Sequence, residues 1–289
     1  GSEMCIRDSR YTDKLDIKYF LKSNSGPGQS RNYGAERSEG EYLIILDSDV
    51  ILPEGYFDAV EKELAASPAD AFGGPDRAHD SFTDIQKAIN YSMTSFFTTG
   101  GIRGGKKKMD KFYPRSFNMG VRRAVYEALG GFSKMRFGED IDFSIRIFQG
   151  GYACRLFPEA WVWHKRRTDL KKFFKQVHNS GIARINLYKK YPKSLKVVHL
   201  LPALFTIGIV FLLLYSLVCS WSLSLLLLFA LIICVDSTLR NKSFKIGLLS
   251  ILASFIQLIG YGTGFLRAWW KRCVLGKNEF AAFEKNFYK

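Results

Sequence analysis

An α/β domain with a mainly parallel sheet, followed by apolar helices of membrane-spanning character, is the fold class this sequence predicts. Three observations carry that expectation. Between Leu15 and Trp163, short apolar runs alternate with segments of helical period, the pattern of strands joined by crossover helices. Beyond Lys196 lie three charge-free runs, Val197–Cys219 (23 residues), Ser220–Val235 (16) and Ile246–Leu266 (21). The charge also divides: residues 1–160 hold 22 Lys+Arg against 23 Asp+Glu, and residues 161–289 hold 20 against 4. With 47% hydrophobic and 24% charged residues, the 289-residue chain is not disordered. Its net charge of +15 sits beside the apolar runs, where membrane topology accounts for it, so no nucleic-acid partner is expected.

Each element follows in order. Residues 1–10 carry neither period and read as a tag-like or foreign segment. Leu15–Leu21 reads as a strand, Gly26-Pro27-Gly28 as a turn, and Ser30–Ser38 as a helix. Glu41–Leu46 (EYLIIL) is a buried strand ending at Asp47. Pro53 introduces a helix over Glu54–Ala66, and Asp70–Gly74 is a strand. Phe82–Phe97 is one helix. Gly100–Lys111 is a Gly/Lys-rich break. Arg115–Val121 is extended, Arg122–Leu129 helical, Glu139–Gln149 helical and Tyr152–Trp163 a strand region. Thr168–Tyr191 is a basic amphipathic helix; residues 168–196 form an interfacial segment ahead of the membrane.

Residues 197–266 supply two or three membrane helices, because a crossing takes about 20 apolar residues. The run 220–235 is short for one. Residues 161–196 contain 11 Lys+Arg and only Asp169 in opposition. The positive-inside rule then puts the soluble domain in the cytoplasm, on the inner (plasma) membrane. Two spans agree with Arg240, Lys242 and Lys245 also lying inside. A third would send the basic tail 267–289 outside, against the rule. Ile246–Leu266, with Gln257, Gly260, Gly262 and Gly264, is therefore also readable as re-entrant or interfacial. The five cysteines have no metal-ligand spacing and read as reduced and structural.

The candidate chemistry sits at strand ends and helix starts. Asp47-Ser48-Asp49 follows a buried strand directly, where α/β sheets bind ligands. Two adjacent carboxylates repel unless a cation compensates, and Mg²⁺ or Mn²⁺ favours such oxygen donors. A bare DxD is equally a polar strand end. Glu139 and Asp140 open a helix, where acids are favoured by the dipole; the chemical reading is a general base taking a proton from a hydroxyl. His164 closes an aromatic strand and is either structural or a further metal ligand. Arg31 and Asn32 follow a glycine turn at a helix start, suited to phosphate or ribose. Lys106, Lys107 and Lys108 are a solvated loop or a clamp on a phosphate-rich ligand.

The run GPGQSRNYGAERSEGEYLIILDSDV, then FNMGVRRAVYEALGGF, then GEDIDFSIRIFQGGY, resembles the family 2 glycosyltransferases over about residues 15–167. The resemblance implies the A-type nucleotide-diphospho-sugar transferase fold and inversion at the anomeric carbon. It implies Asp49 as main metal ligand, with Asp47 near ribose and metal and His164 as a further ligand. Asp140 would be the base, Glu139 would orient the acceptor, and Asn118 and Arg31 would line the donor pocket. Against that pattern, the catalytic domain, residues 11–167, is expected to lack its first βαβ unit. The Gln176-Val177-His178-Asn179-Ser180 stretch stands where processive members carry QxxRW, so the enzyme is read as non-processive. The expected function is transfer of a sugar from a nucleotide-diphosphate sugar to a hydroxyl of a lipid-linked or polysaccharide acceptor in cell-surface glycan synthesis. Two alternatives stand beside it: transfer to polyprenyl phosphate itself, and a non-catalytic membrane protein with a degenerate transferase domain.

Overall fold

The computed structural model describes residues 16–79, 81–100, 112–135 and 137–278. The soluble part runs α1 (Pro27–Ala35), β1 (Tyr42–Leu46), β2 (Val50–Ile51), α2 (Tyr56–Ala66), β3 (Ala71–Gly73), β4 (Asp76–Arg77), α3 (Asp84–Thr94) and α4 (Phe96–Thr99). After the described gap come β5 (Asn118–Arg122), α5 (Arg123–Ala128), α6 (Glu139–Gln149), β6 (Cys154–Leu156) and β7 (Val162–His164). Then follow α7 (Leu170–Lys190), α8 (Leu201–Tyr215), α9 (Leu223–Asn241) and α10 (Phe244–Trp269).

The α/β class holds, but the sheet is mixed rather than mainly parallel. Four strands lie in the order β1-β5-β3-β6 and three in the order β2-β7-β4. β5 runs antiparallel to both β1 and β3; β3 and β6 are parallel. The reason is the path of the chain. Gly73, at the end of β3, pairs with Met119, near the start of β5. The chain leaves the sheet at that end, builds α3 and α4, and re-enters at the same end. Such a return can only be antiparallel.

Other expectations shift for local reasons. Residues 16–21 form no strand, and Tyr19, Phe20 and Leu21 are exposed. The helix expected over Phe82–Phe97 breaks at Ser95, whose extended backbone ends α3 and whose hydroxyl accepts the Phe97 N–H to start α4. The region Tyr152–Trp163 is two strands, one in each sheet, with Phe157 and Ala160 buried between them.

Two apolar layers clamp the four-stranded sheet. On one side Leu43, Ala71, Met119 and Val121 meet Phe132, Phe143 and Ile147. On the other, Phe72 stacks on Phe157 with centroids 4.6 Å apart, beside Tyr56, Val60 and Val162. The edge of Phe72 lies where a Cβ on Gly120 would stand, 2.0 Å away, so that strand position admits only glycine.

The C-terminal helices pack on the soluble part. α10 runs unbroken through Gly260, Gly262 and Gly264. These glycines are contact points. A Cβ on Gly264 would stand 2.0 Å from the His178 carbonyl, and one on Gly181 would stand 2.2 Å from that of Tyr261. Helix backbones approach this closely only through small residues. Two segments, Ser220–Asn241 and Phe244–Val274, are long and apolar enough to cross a membrane. The charge-free run 197–219 yields only the 15-residue α8. The 220–235 run extends to Asn241 because Asp236 is satisfied: it accepts the Tyr91 hydroxyl at 2.6 Å and pairs with Arg240 at 3.0 Å.

Candidate active site

The pairing of β2 with β7 assembles a three-residue cluster. Val50 is in register with His164, and the Lys165 N–H donates to the Asp49 carbonyl at 3.0 Å. This places His164 opposite the turn that follows β1. Ligand atoms of Asp47, Asp49 and His164 lie within 4.8 Å of one another. His164 Nε2 is 3.3 Å from Asp49 Oδ1, and its ring stacks on Phe117 at 4.8 Å. Burial opposes ionisation of Asp49, yet the hydrogen bond and charge of His164, with Arg167 nearby, hold its carboxyl below the ordinary range. Behind the ring, Nδ1 faces Asp76 at 3.9 Å, and Asp76 is itself held by Arg166 at 2.6 Å. Two carboxylates, one imidazole and an outer carboxylate suit a hard divalent cation.

Arg31 joins this cluster to the second acidic group. From α1 it donates to Asp47 and to Glu139, both at 2.8 Å. Gly26, in a positive-φ conformation, and Pro27 at the first helical position set α1 at that angle. Glu139 and Asp140 occupy the first turn of α6, whose N-cap Gly138 has φ 82°. Left-handed backbone there turns both carboxylates towards Arg31 and Arg115.

The two acids differ. Burial and the charge of Asp140 push Glu139 up, against Arg31. Asp140 is also buried, but Arg115 donates to it at 2.6 Å and the Ile141 N–H at 2.8 Å. The Arg115 charge and these bonds hold its carboxyl below the ordinary range. Asp140 is thus ionised and able to accept a proton.

Six of the eight expected site residues therefore meet: Arg31, Asp47, Asp49, Glu139, Asp140 and His164. Asn32 and Asn118 do not join them. Asn32 receives the Tyr126 hydroxyl and the Phe132 N–H, and donates to the Phe132 carbonyl. Asn118 is 1% exposed, receives the Tyr56 hydroxyl at 2.6 Å and donates to Ala160 at 2.7 Å. Both amides tie elements together. Lys106, Lys107 and Lys108 lie outside the described residues. Sequence reading missed Arg115, Asp76 and Phe117. An arginine before a strand has no distinguishing pattern, and β4 is too short to show a period.

The carboxylates stand at one end of a cavity of about 930 Å³ that continues between α4, α7, α8 and α10. A Cβ on Gly138 would stand 3.1 Å from Leu187 and 3.6 Å from Ala183, so α7 passes directly beside the start of α6.

The family described as "Glycosyl transferase family 2" matches residues 6–130. Among curated proteins, "Probable glycosyltransferase YdaM" of Bacillus subtilis (strain 168) is 28% identical over 177 residues, covering 58% of this chain and 41% of that protein. "Succinoglycan biosynthesis protein ExoM" of Rhizobium meliloti (strain 1021) is 27% identical over 177 residues, covering 58% of this chain and 54% of that one. The chain thus spans about half the length, or less, of these relatives. Among solved structures, "Mannosyltransferase PcManGT from Pyrobaculum calidifontis in complex with GDP-Man and Mn2+" superposes with a TM-score of 0.62 at 14% identity, over 94% of this chain and 76% of that one. Family match, curated relatives and fold agree: residues 6–130 match the family 2 glycosyltransferases, the curated relatives are glycosyltransferases, and the fold is that of the A-type nucleotide-sugar transferases.

Proposed function

We propose that the protein transfers a sugar, with inversion, from a nucleotide-diphosphate donor to a hydroxyl of a lipid-linked or glycan acceptor at the cytoplasmic face of a membrane. The observation that carries this reading is the Arg31 bridge, which joins the Asp47–Asp49–His164 cluster to the Glu139–Asp140 pair in one wall. The first group suits a metal diphosphate and the second suits a nucleophilic hydroxyl.

Asp47, Asp49 and His164 would hold Mg²⁺ or Mn²⁺, and the ion would neutralise charge on the leaving diphosphate. The structural neighbour's Mn²⁺ and GDP-Man support this assignment. Asp140 takes the proton of the acceptor hydroxyl. The freed oxygen attacks the anomeric carbon opposite the diphosphate; the new C–O bond forms as the old one breaks, and its electron pair leaves with the diphosphate. Glu139, fixed by Arg31, orients the acceptor. The Gln176–Ser180 stretch, without the motif of processive enzymes, supports transfer of one sugar or a few. ExoM's name, a succinoglycan biosynthesis protein, supports a role in surface glycan synthesis.

The membrane reading rests on α8 and α9. Leu204, Phe211 and Leu214 on α8, and Leu225, Leu227 and Leu231 on α9, are all more than half exposed. Their helices form a hairpin whose tip exposes Leu217, Val218 and Trp221 at 82–85%. Apolar patches of this extent mark a lipid-facing surface.

A panel of UDP-, GDP- and dTDP-sugars binding to the detergent-solubilised chain with Mn²⁺ tests the reading. Binding that needs Mn²⁺ and is lost in Asp49→Ala is expected. Binding that ignores both removes the donor site. Asp140→Asn is expected to keep donor binding and lose about 10²–10⁴-fold in turnover. Retention of most turnover would favour polyprenyl phosphate as acceptor, because a phosphate oxygen needs no base.

A further inference from the structure

Within the metal cluster, His164 has a buried atom left over. Its Nε2 lies 3.3 Å from Asp49 Oδ1, but Nδ1 is buried without a hydrogen-bond partner. Buried polar atoms are nearly always satisfied. An imidazole that gives one nitrogen to a cation as a rule donates the other N–H to a carboxylate, a carbonyl or water. The carboxylate in reach is Asp76, whose Oδ2 is 3.9 Å from Nδ1. That is about 1 Å longer than a hydrogen bond, so a small rotation of the ring onto Asp76 makes it.

A further layer of contacts fixes Asp76. On β4 it is in register with Val162, two residues before His164 on β7, so the three side chains share one face of the small sheet. Two residues beyond His164, Arg166 donates to Asp76 Oδ2 at 2.6 Å. The Arg166 side chain is 5% exposed, and a buried cation needs its counter-charge in place. One helix grips Arg166 at both ends. Asn90 Oδ1 on α3 accepts from Arg166 Nε at 3.1 Å, and Gln86 Nε2, one turn earlier, donates to the Arg166 carbonyl at 2.9 Å. The Gln86 amide is held in that sense because its Oε1 closes the capping box with Thr83. α3 is anchored in turn on α10 through Asp84 and Lys245, and on α9 through Tyr91 and Asp236. A strap from β7 to α3 accounts for Arg166, but not for a carboxylate aimed at a buried imidazole nitrogen.

We propose that Asp76 and Arg166 are positioning residues for the metal site, with α3 as their foundation. Asp76 takes the Nδ1–H of His164, which leaves the Nε2 lone pair free for a divalent cation. Arg166 keeps Asp76 in place, and Asn90 and Gln86 keep Arg166 in place. The inference rests on the metal reading above and extends it to residues that touch neither cation nor donor.

The test is Mn²⁺ binding to the full chain in detergent, followed by electron paramagnetic resonance with no nucleotide present. Asp76→Asn is expected to weaken binding about tenfold or more, and to reduce the spin-echo modulation from a coordinated imidazole nitrogen. Asn90→Ala, which leaves every carboxylate in place, is expected to weaken it about threefold, and Asn90→Asp to restore most of that. In a His164→Ala background, Asp76→Asn is expected to change the affinity by less than about twofold. An equal loss with and without His164 overturns the proposal, since Asp76 then acts by its charge alone. Unchanged affinity in Asp76→Asn overturns it as well, and a loss there with none in Asn90→Ala removes α3 from the arrangement. If Asp76→Asn does not fold, the Asn90 variants, with and without His164, decide the matter in the same way. Failure of the metal reading shows separately, in the parent chain, as absent Mn²⁺ binding or as binding that survives Asp49→Ala.

Discussion

Asp142 shows how one buried carboxylate fixes the position of a whole helix. Its side chain is fully buried and receives Arg146 at 3.0 Å, Lys190 at 2.5 Å and the Tyr191 hydroxyl at 2.9 Å. Arg146 lies on its own helix, whereas Lys190 and Tyr191 end α7. Burial opposes ionisation, but the bonds from Lys190, Tyr191 and the nearby charges hold the Asp142 carboxyl below the ordinary range. A depressed acid contributes stability that is present above its unfolded pKa and lost as pH falls through the folded one. The contribution is therefore full at neutral pH, starts to fall near about 3.9, the ordinary aspartate value, and is lost as pH drops on through the lower folded value. Asp142→Asn is expected to destabilise by about 3 kcal/mol, because Lys190 and Arg146 lose their counter-charge. Thermal melts at pH 7 and pH 3 check this: the gap between variant and parent narrows at the lower pH. Of these site-adjacent residues, the sequence showed only those beside a motif. Asp47, Asp49, Glu139, Asp140, Arg31 and His164 stand at strand ends or helix starts, where position alone suggests chemistry. Asp142 lies one turn inside a helix and looks like any solvated acid. Asn32 and Asn118 looked like binding groups, because an amide's partners depend on tertiary contacts, here 42 to 100 residues away in sequence.

Helix contacts obey a similar limit. The expected strand over Glu41–Leu46 and helix over Glu139–Gln149 are found within a residue or so, because a continuous apolar run and a glycine-plus-acid start each encode a boundary locally. The sense of β5 was not legible, since it depends on where the chain re-enters the sheet. Nor was the use of the α10 glycines, which suggested a re-entrant or interfacial segment and are contact points for α7 and α8. A substitution series separates contact from flexibility. Gly181→Ala places a Cβ 2.2 Å from a backbone carbonyl that belongs to a neighbouring helix, whereas Gly208→Ala on α8 meets nothing within 4 Å. The first is expected to cost about 1–3 kcal/mol by overpacking. The second removes a helix-interior glycine and is expected to be neutral or slightly stabilising. Detergent thermal melts of both variants decide it. Equal melting temperatures would mean that α7 and α10 do not pack at this crossing.

The proposed membrane association can be taken further from the company α10 keeps. At its start, Lys245 pairs with Asp84 of α3 at 2.8 Å. Along its middle, Ile246 and Ala253 pack with Ala88, Ile89, Phe173 and Val177. Near its end, Phe265 meets Ile182 and Ile185, and just beyond it Arg272 donates to Asn186 at 2.5 Å. α10 therefore has α3 and α7 beside it over its whole length. α7 carries Lys171, Lys172, Lys175, Arg184, Lys189 and Lys190, and a charged side chain costs about 2.5–3.5 kcal/mol at a bilayer centre by the lowest scales. A helix so accompanied cannot stand across the bilayer without taking those charges with it. For the membrane association proposed above, this contact pattern supports a reading with the α8–α9 hairpin inserted and α10 lying along the surface. That proposed arrangement would keep Arg267, Lys271, Arg272 and Lys277 on the side of the soluble domain, in keeping with the positive-inside rule. Single cysteines at Lys193 and Lys277, in a chain whose native cysteines are replaced by serine, are expected to react with a membrane-impermeant maleimide from the same side of sealed inverted vesicles. A chain crossing three times would expose them on opposite sides, and labelling of Lys277→Cys from the far side alone would put α10 through the membrane.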